Sequence, residues 1–303
     1  MSSAEAASVR AGQRVAVIAN MEKISEQGAY ALRRSLESCG VSDLDWVELH
    51  RGADVKRSVA TAVERGAHSV VVCGGDGSVR LAAEALTGTG VALGVVPEGT
   101  GNVFVSGLGL PTDLDGIAKA VATGGRETID TGMCNGSTFN LMAGSGFDVG
   151  MMAPTDEEKK FLGFLAYIRA AIGEMIHRKP FHVQVTIDGT SFYVGPSSGV
   201  LVGKLGFRKG IFKTFPDASP TDGLLHVAVV TAVGPWEWMG LMASALLRRQ
   251  ETSSQVQVGQ GAKVSVVFRK RRRFELDGDI LGRTATLECH VKPRSLVICT
   301  PPA

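Results

Sequence analysis

The apolar run HSVVVC (68–73) leads without a break into GGDGS (74–78) and then into a helical pattern. A strand that is apolar on both faces belongs in a parallel sheet covered by helices on both sides. The first part of the chain supplies the rest of such a sheet. RVAVIA (14–19), Leu44 to Leu49, HSVVVC and Val91 to Val96 read as strands. Between and after them, AYALRRSLESC up to the breaker Gly40, Val55 to Arg65, Ser78 to Leu86 and Leu114 to Ala122 read as helices. Strand and helix alternating at this spacing predict an N-terminal three-layer α/β domain with a parallel sheet over residues 14–128, behind a disordered tail at 1–13.

The pattern changes near Arg126. TFNLMAGSGF, FHVQVTIDG, SFYVGPSSGVLVG, LLHVAVVTAV, AKVSVVFR, ATLECHV and SLVICT are short runs bounded by Gly, Pro or Asp, and several alternate apolar and polar residues. They predict a C-terminal antiparallel β-sandwich domain over residues 129–283, interrupted by helices near 156–177 and 236–249. A chain of 303 residues suits two such domains better than one.

Composition excludes several classes. The 32 basic and 30 acidic residues leave a net charge of +2, too even for a general nucleic-acid binder. The five cysteines are odd in number and contain no CxxC pair, which fits a reduced cytoplasmic protein rather than a disulfide framework. No zinc-finger or HExxH spacing occurs among the six histidines. The opening MSSAEAASVRAGQ lacks the apolar core of a signal peptide, and no uninterrupted apolar stretch reaches the length of a bilayer span.

Three segments carry chemistry. In GGDGS the glycines let the backbone turn sharply and present N–H groups, and the helix that follows adds an end favourable to anions. Ser78 can cap that helix or donate to a phosphate oxygen. Asp76 repels phosphate unless a cation intervenes, so it implies Mg²⁺ or a hydrogen bond that stiffens the loop. An ordinary strand-to-helix turn is the plain alternative for a Gly-Gly pair; all five residues together favour a phosphate loop. The design recurs after the fourth strand as PEGTGN, Pro97 to Asn102, and two such loops at neighbouring strand ends form the usual ligand crevice of an open α/β sheet. Neither GxGxxG after the first strand nor a GxxxxGK[ST] loop is present, and Gly199 to Lys204 only superficially resembles the latter. The third segment is FELDGDI. Of Asp277 and Asp279, one carboxylate can take a proton from a hydroxyl and the other can hold Mg²⁺. Asp-Gly is equally the commonest signal of a tight hairpin turn, and both readings stand.

GGDGS, GVVPEGTGNVFVSGLGLP, IDTGMCNGSTFNLMAGSGFD, FPDASPTDGLLHVAVV and FELDGD occur in this order, and together they resemble the motifs of the diacylglycerol kinase catalytic-domain family, which includes bacterial lipid kinases and, more distantly, sphingosine and ceramide kinases. EKKFLGFLAYIRAAI is similar to a helix within the second domain of that family. The likeness runs from about Arg14 to the C-terminus. It implies a nucleotide cleft between the two domains and ATP- and Mg²⁺-dependent transfer of a phosphoryl group to a lipid hydroxyl, with diacylglycerol giving phosphatidic acid as the leading case. Gly74, Gly75, Asp76, Gly77 and Ser78 would hold ATP phosphates together with Gly99, Thr100, Gly101 and Asn102, and Asn20 would contact the nucleotide. Asp277 would be the general base, with Asp279 beside it and Asp130 in the polar network nearby. Asp76 would serve Mg²⁺ at the nucleotide, and Asp217 and Asp222 match a region that binds a structural Mg²⁺ in bacterial members. The segment 284–303 would return to the first domain. The chain departs from the family pattern at Met21-Glu22-Lys23 after Asn20, at Glu98, at Val103 and at Asp279.

A lipid substrate requires contact with a membrane surface. The apolar helix Lys159 to Ile176, the segment PWEWMGLMASALLRR and the basic run Arg269 to Arg273 are the candidates for a peripheral, cytoplasmic-side association. The two helices have a plainer use in packing against the β domain or against a second copy in a homodimer. Two further functions remain open: a soluble NAD kinase, whose family shares a GGDG loop, and a non-catalytic lipid- or nucleotide-binding protein, suggested by Val103 and Glu98.

Overall fold

The computed structural model describes residues 13–50, 54–99, 101–146, 180–205, 215, 218–232, 234, 237 and 255–302. The helices expected near 156–177 and 236–249 lie outside the described residues, save for residue 237. The chain divides into two compact units, Met1–Thr131 with Lys292–Ala303, and Gly132–Val291.

The first unit is built on β1 (Arg14–Asn20), β2 (Asp43–Leu49), β3 (Ser69–Gly74) and β4 (Ala92–Pro97), joined by the end of β14 (Asp279–Thr300). The order is β14-β4-β3-β1-β2, and every pair is parallel. Successive side chains of a strand face opposite ways. Val15, Val17 and Ala19 of β1 and Val71 and Cys73 of β3 pack with Leu32 and Leu36 of α1 (Glu26–Ser38) and Ile117 and Val121 of α5 (Leu114–Ala122). Ala16, Ile18, Val70 and Val72 on the opposite face are equally buried, as are Val59 of α2 (Val55–Glu64) and Val79 and Ala83 of α3 (Asp76–Leu86). This is the three-layer parallel α/β arrangement that the apolar runs predict. Arg126 shows how its last helix is closed: the guanidinium donates to the carbonyls of Ala120 and Val121 at 3.1 and 2.8 Å, serving C-terminal acceptors that no helical N–H reaches. The short α4 (Val103–Leu108) follows the second glycine loop.

The second unit is antiparallel. One sheet runs β12 (Val256–Gly261), β11 (Leu225–Val230), β10 (Gly199–Gly203), β7 (Met142–Ser145) and the end of β13 (Lys263–Leu276). The other runs β9 (Thr190–Ser197), β8 (Phe181–Ile187), the start of β13 and β14. Val200, Val202, Val227 and Val229 of the first meet Val183, Val185, Val264, Val266 and Leu287 of the second in one core, which makes the sandwich. The single run TFNLMAGSGF divides into β6 (Ser137–Phe139), paired with β5 (Gly125–Cys134), and β7. Its break at residues 140–141 has a cause described below. KVSVVFR and the FEL of FELDGD lie on one strand, and ATLECHV and SLVICT on another. No helix among the described residues is long and apolar enough to cross a membrane.

Candidate active site

The two glycine loops of the first unit leave neighbouring strand ends, where the Glu98 N–H donates to the Gly74 carbonyl at 3.0 Å. Their backbones touch. A Cβ on Gly99 would stand 2.8 Å from the Gly75 Cα, and one on Gly75 would stand 3.3 Å from the Gly99 Cα. A Cβ on Gly74 would meet Ser78 at 2.8 Å. A side chain at Gly99 or Gly74 would clash by contact, and one at Gly75 would press on the facing backbone; none of the three is required by a turn's dihedral angles. Gly75 is the N-cap of α3 and carries no side-chain cap, so the first-turn N–H groups of Asp76, Gly77 and Ser78 are offered outward from a helix of 11 residues. A cradle of bare backbone at an uncapped helix start fits a polyphosphate.

Of the two parts expected of Asp76, the hydrogen bond that stiffens the loop has a counterpart in the structure. Its carboxylate faces the start of α4, with Oδ1 3.4 Å from the Phe104 N–H, and a Cβ on Gly101 would stand 3.0 Å from Oδ2. Burial raises its pKa, and the backbone N–H groups of Phe104, Val103 and Asn102 pull the other way. It is a strut between the loops. Asn102 adopts a left-handed φ of 45° and its Oδ1 accepts from the Gly99 N–H at 2.9 Å, closing the second loop on itself. Thr100 lies outside the described residues. Asn20 ends β1 with Oδ1 accepting from the Glu22 N–H at 3.0 Å. Burial also raises the pKa of Glu98, which eases a carboxyl beside an anion. The nearby Cys73 thiol is pushed up to about 12 by burial and by Glu98, so it is no nucleophile at neutral pH.

In the second unit Asp277 occupies the turn between β13 and β14 with φ 50°. Its Oδ2 accepts from the Asn140 N–H at 2.7 Å, and its Oδ1 accepts from Leu141 and Met142 at 2.8 and 2.9 Å. These N–H groups turn onto the carboxylate instead of a strand partner, which is why β6 and β7 are separate. Asn140 is a residue that sequence reasoning passed over. Its side chain is buried, and neither its Oδ1 nor its Nδ2 has a hydrogen-bond partner. An orphaned buried amide beside the candidate base marks a place for a polar ligand or water. The signal was the Asn in the middle of FNLM, polar where an uninterrupted strand would be apolar. Asp279 is half-buried at the start of β14. Asp130 belongs to the first unit, where Oδ1 accepts from the Arg294 N–H at 2.8 Å and fastens the returning C-terminal segment to β5.

A structural Mg²⁺ is expected at Asp217 and Asp222, and around Asp222 the chain supplies donors of its own. Lys204, fully buried, donates from Nζ to Asp222 Oδ1 at 2.6 Å and to the Ser219 carbonyl at 2.8 Å. The His226 Nε2–H donates to Oδ2 at 3.0 Å, and the N–H groups of Ser219 and Leu224 complete the set at 3.0 and 2.9 Å. Burial pushes the carboxyl up, but Lys204, His226 and the two N–H groups outweigh it and hold the pKa at about 2. A carboxylate and a carbonyl oxygen are what a hard cation seeks; here the chain's own ammonium takes both. The described residues around Asp222 therefore do not fit a metal in this arrangement. Asp217 lies outside the described residues. Among those residues no group of three His, Cys, Asp or Glu could hold a metal ion.

Known proteins share this organisation. Residues 14–134 match the diacylglycerol kinase catalytic domain, and residues 142–300 match the YegS C-terminal NAD kinase beta sandwich-like domain. A diacylglycerol kinase of Mycobacterium tuberculosis is 31% identical over 59% of this chain and 64% of its own length. A Klebsiella pneumoniae protein named "Probable lipid kinase YegS-like" is 29% identical over 79% of this chain and 83% of its own. The Synechocystis protein sll0036 is 31% identical over 77% of this chain, and this chain spans only about half, 54%, of its length. The crystal structure of a diacylglycerol kinase from Bacillus anthracis superposes with a TM-score of 0.71 at 17% identity, covering 96% of this chain and 97% of that one, which shows the shared fold. By the two domains matched in order along nearly its whole length, this chain belongs to the diacylglycerol kinase-like lipid kinase family.

Proposed function

We propose that the protein is an ATP- and Mg²⁺-dependent lipid kinase that converts diacylglycerol to phosphatidic acid at the cytoplasmic face of a membrane. The observation that carries this reading is the glycine cradle: two loops whose backbones touch, beside an uncapped helix start. Bound there, ATP with Mg²⁺ supplies the γ-phosphoryl group. The N–H groups at the start of α3 bind and orient the phosphates, and the Asp76 strut and the Asn102 clasp keep the cradle open at fixed width. The lipid hydroxyl oxygen bonds to the γ-phosphorus as the bond from that phosphorus to its bridging oxygen breaks, and the hydroxyl proton passes to Asp277. Phosphoryl transfer asks more of position than of basicity, so a carboxylate fixed by three N–H groups suits the part. Asp279 neighbours it at the same turn.

The test is transfer of label from γ-labelled ATP to a mixed-micelle panel of diacylglycerol, ceramide, a sphingoid base and phosphatidylglycerol, with NAD as a soluble acceptor. Label is expected in diacylglycerol. Asp277→Asn should lower kcat at least roughly a hundredfold, the usual worth of a positioned base. It should also lower Tm, because an amide sets its own N–H groups against the backbone donors of residues 140–142. Asp277→Asn turnover within about tenfold of the unaltered protein would remove Asp277 as the base. Label entering NAD without lipid would replace the lipid reading with the soluble kinase one, and ATP binding without transfer to any acceptor would leave a binding protein.

A further inference from the structure

We propose that the β13–β14 hairpin is the surface by which the protein docks on an anionic lipid bilayer. The inference rests on the lipid-kinase reading and adds to it the place of contact. Val267 of β13 stands opposite Thr286, and Arg272 stands opposite Thr284. The four residues Phe268 to Arg271 therefore face the single residue Ala285. A bulge of this size lifts residues out of the ladder, and Arg269, Lys270 and Arg271 in it are all exposed. Beyond the bulge, Arg273 and Arg283 are directly opposite and both exposed. Directly opposed side chains share a face, and like charges so placed repel unless an anion lies between them.

From Phe268 to Thr286, the part of the hairpin nearest its turn, the exposed charges are of one sign; Glu288, exposed, lies beyond it. Arg269, Lys270, Arg271, Arg273 and Arg283 are exposed, whereas Glu275, Asp277 and Asp279 are buried or half-buried. Five exposed positive charges on one hairpin exceed the +2 of the whole chain. The same hairpin carries Val267, Ile280 and Leu281, which are 44%, 54% and 41% exposed. These are three of the six large apolar side chains left exposed among the described residues. Cations to meet phosphate headgroups and aliphatic side chains to enter the acyl boundary are the two needs of an interfacial segment. A nucleic acid would use the first and have no place for the second. Asp277 and Asp279 lie at the turn of this hairpin, so docking by it brings the candidate base to headgroup depth.

The test is partition of the full chain, without ATP, onto vesicles of phosphatidylcholine with and without about 30% phosphatidylglycerol, at rising NaCl. Binding is expected to be far stronger with the anionic lipid and should weaken with salt toward a small apolar remainder. Each neutralised basic residue should lower the partition roughly fivefold, so Arg269→Gln, Lys270→Gln and Arg271→Gln together should lower it about a hundredfold. Ile280→Ser with Leu281→Ser should remove the binding that survives high salt. Arg273→Gln should also weaken binding while leaving Tm unchanged or raised, because it relieves the pairing with Arg283. Equal partition onto neutral vesicles, or unaltered binding by the triple variant at unchanged Tm, would overturn the proposal. So would loss of oligonucleotide binding by the triple variant alongside full vesicle binding by the Ile280/Leu281 variant, which would make the patch a general polyanion site. Turnover of detergent-dispersed diacylglycerol by the unaltered protein reports on the kinase reading separately, since docking on a bilayer plays no part in it.

Discussion

The glycine loops of the first unit and the Lys204–Asp222–His226 cluster of the second both withdraw a carboxylate from water, and they treat it in opposite ways. Asp76 meets backbone N–H groups, the Phe104 contact at 3.4 Å, and burial wins, so its pKa rises. Asp222 meets an ammonium, an imidazole and two N–H groups at 2.6 to 3.0 Å, and the donors win, so its pKa falls to about 2. Burial alone does not decide the charge of an acid; the number and charge of its donors do. The difference separates a place whose donors are open to a ligand from one whose donors are already engaged. The loops leave the start of α3 uncapped, with its donors turned outward, while the cluster directs every donor inward.

Lys204→Met should break the comparison most severely, because it leaves the half-buried Asp222 without its cation and its other donors without their centre. The expected loss is about 3–5 kcal/mol in urea denaturation; a loss below about 1 kcal/mol would mean that the pair behaves like a surface one. Lys204→Ala leaves an oxygen-lined space, and millimolar Mg²⁺ should restore part of its lost stability, whereas neither Mg²⁺ nor EDTA should shift the Tm of the unaltered protein in the absence of nucleotide. Gly99→Ala comes next. Its Cβ would stand 2.8 Å from the Gly75 Cα, so the loops must part. Overpacking of this kind costs about 1–3 kcal/mol, and calorimetric titration should show ATP affinity falling more than stability does.

Acid sharpens the contrast. The folded pKa of Asp222 lies below its unfolded value, so its contribution is present above about pH 4 and is lost as the pH falls toward 2. Asp76 and Glu98 are raised, so ionising them in the fold is the costly state, and lowering the pH through their folded values should relieve the first unit. Amide hydrogen exchange followed from neutral pH downward should therefore show the loops slowing first and the residues around Asp222 opening below about pH 4. The smallest effect is expected at Arg65, whose bond to Asp45 is 3.4 Å long and exposed. Arg65→Ala should change stability by no more than about 0.5 kcal/mol.

The contrast also marks what a sequence can disclose. The first unit was legible because its strands are short unbroken apolar runs and its candidate site is made of backbone, which glycines announce. Leu114 to Ala122 is a helix at the predicted bounds, and the breaker Gly40 has a φ of 92° just past α1. The second unit was read as β-rich, but FNLM was taken for one strand because the pull of Asp277 on the N–H groups of 140–142 comes from more than 130 residues away. Lys204 was seen only as the end of a false phosphate-loop match. Nothing local tells that it is buried, since its partner Asp222 is 18 residues on. Acidic motifs are easily assigned a metal; the lysine that takes the metal's place lies elsewhere in the chain. The short α4 and the polar β5 left no pattern long enough to find.

The path of the chain has a consequence for its making. The first unit is begun by residues up to Thr131 and completed only by Lys292–Ala303, after the whole second unit has been synthesised. Until then the strand Ala92–Pro97 lacks the neighbour that Val297 and Ile298 provide, and an apolar sheet edge stands open. On the ribosome, at some 5–20 residues per second, that edge waits roughly ten seconds or more. The nascent protein is most exposed to mispairing during this interval, when its first unit is nearly built and the last strand has yet to arrive.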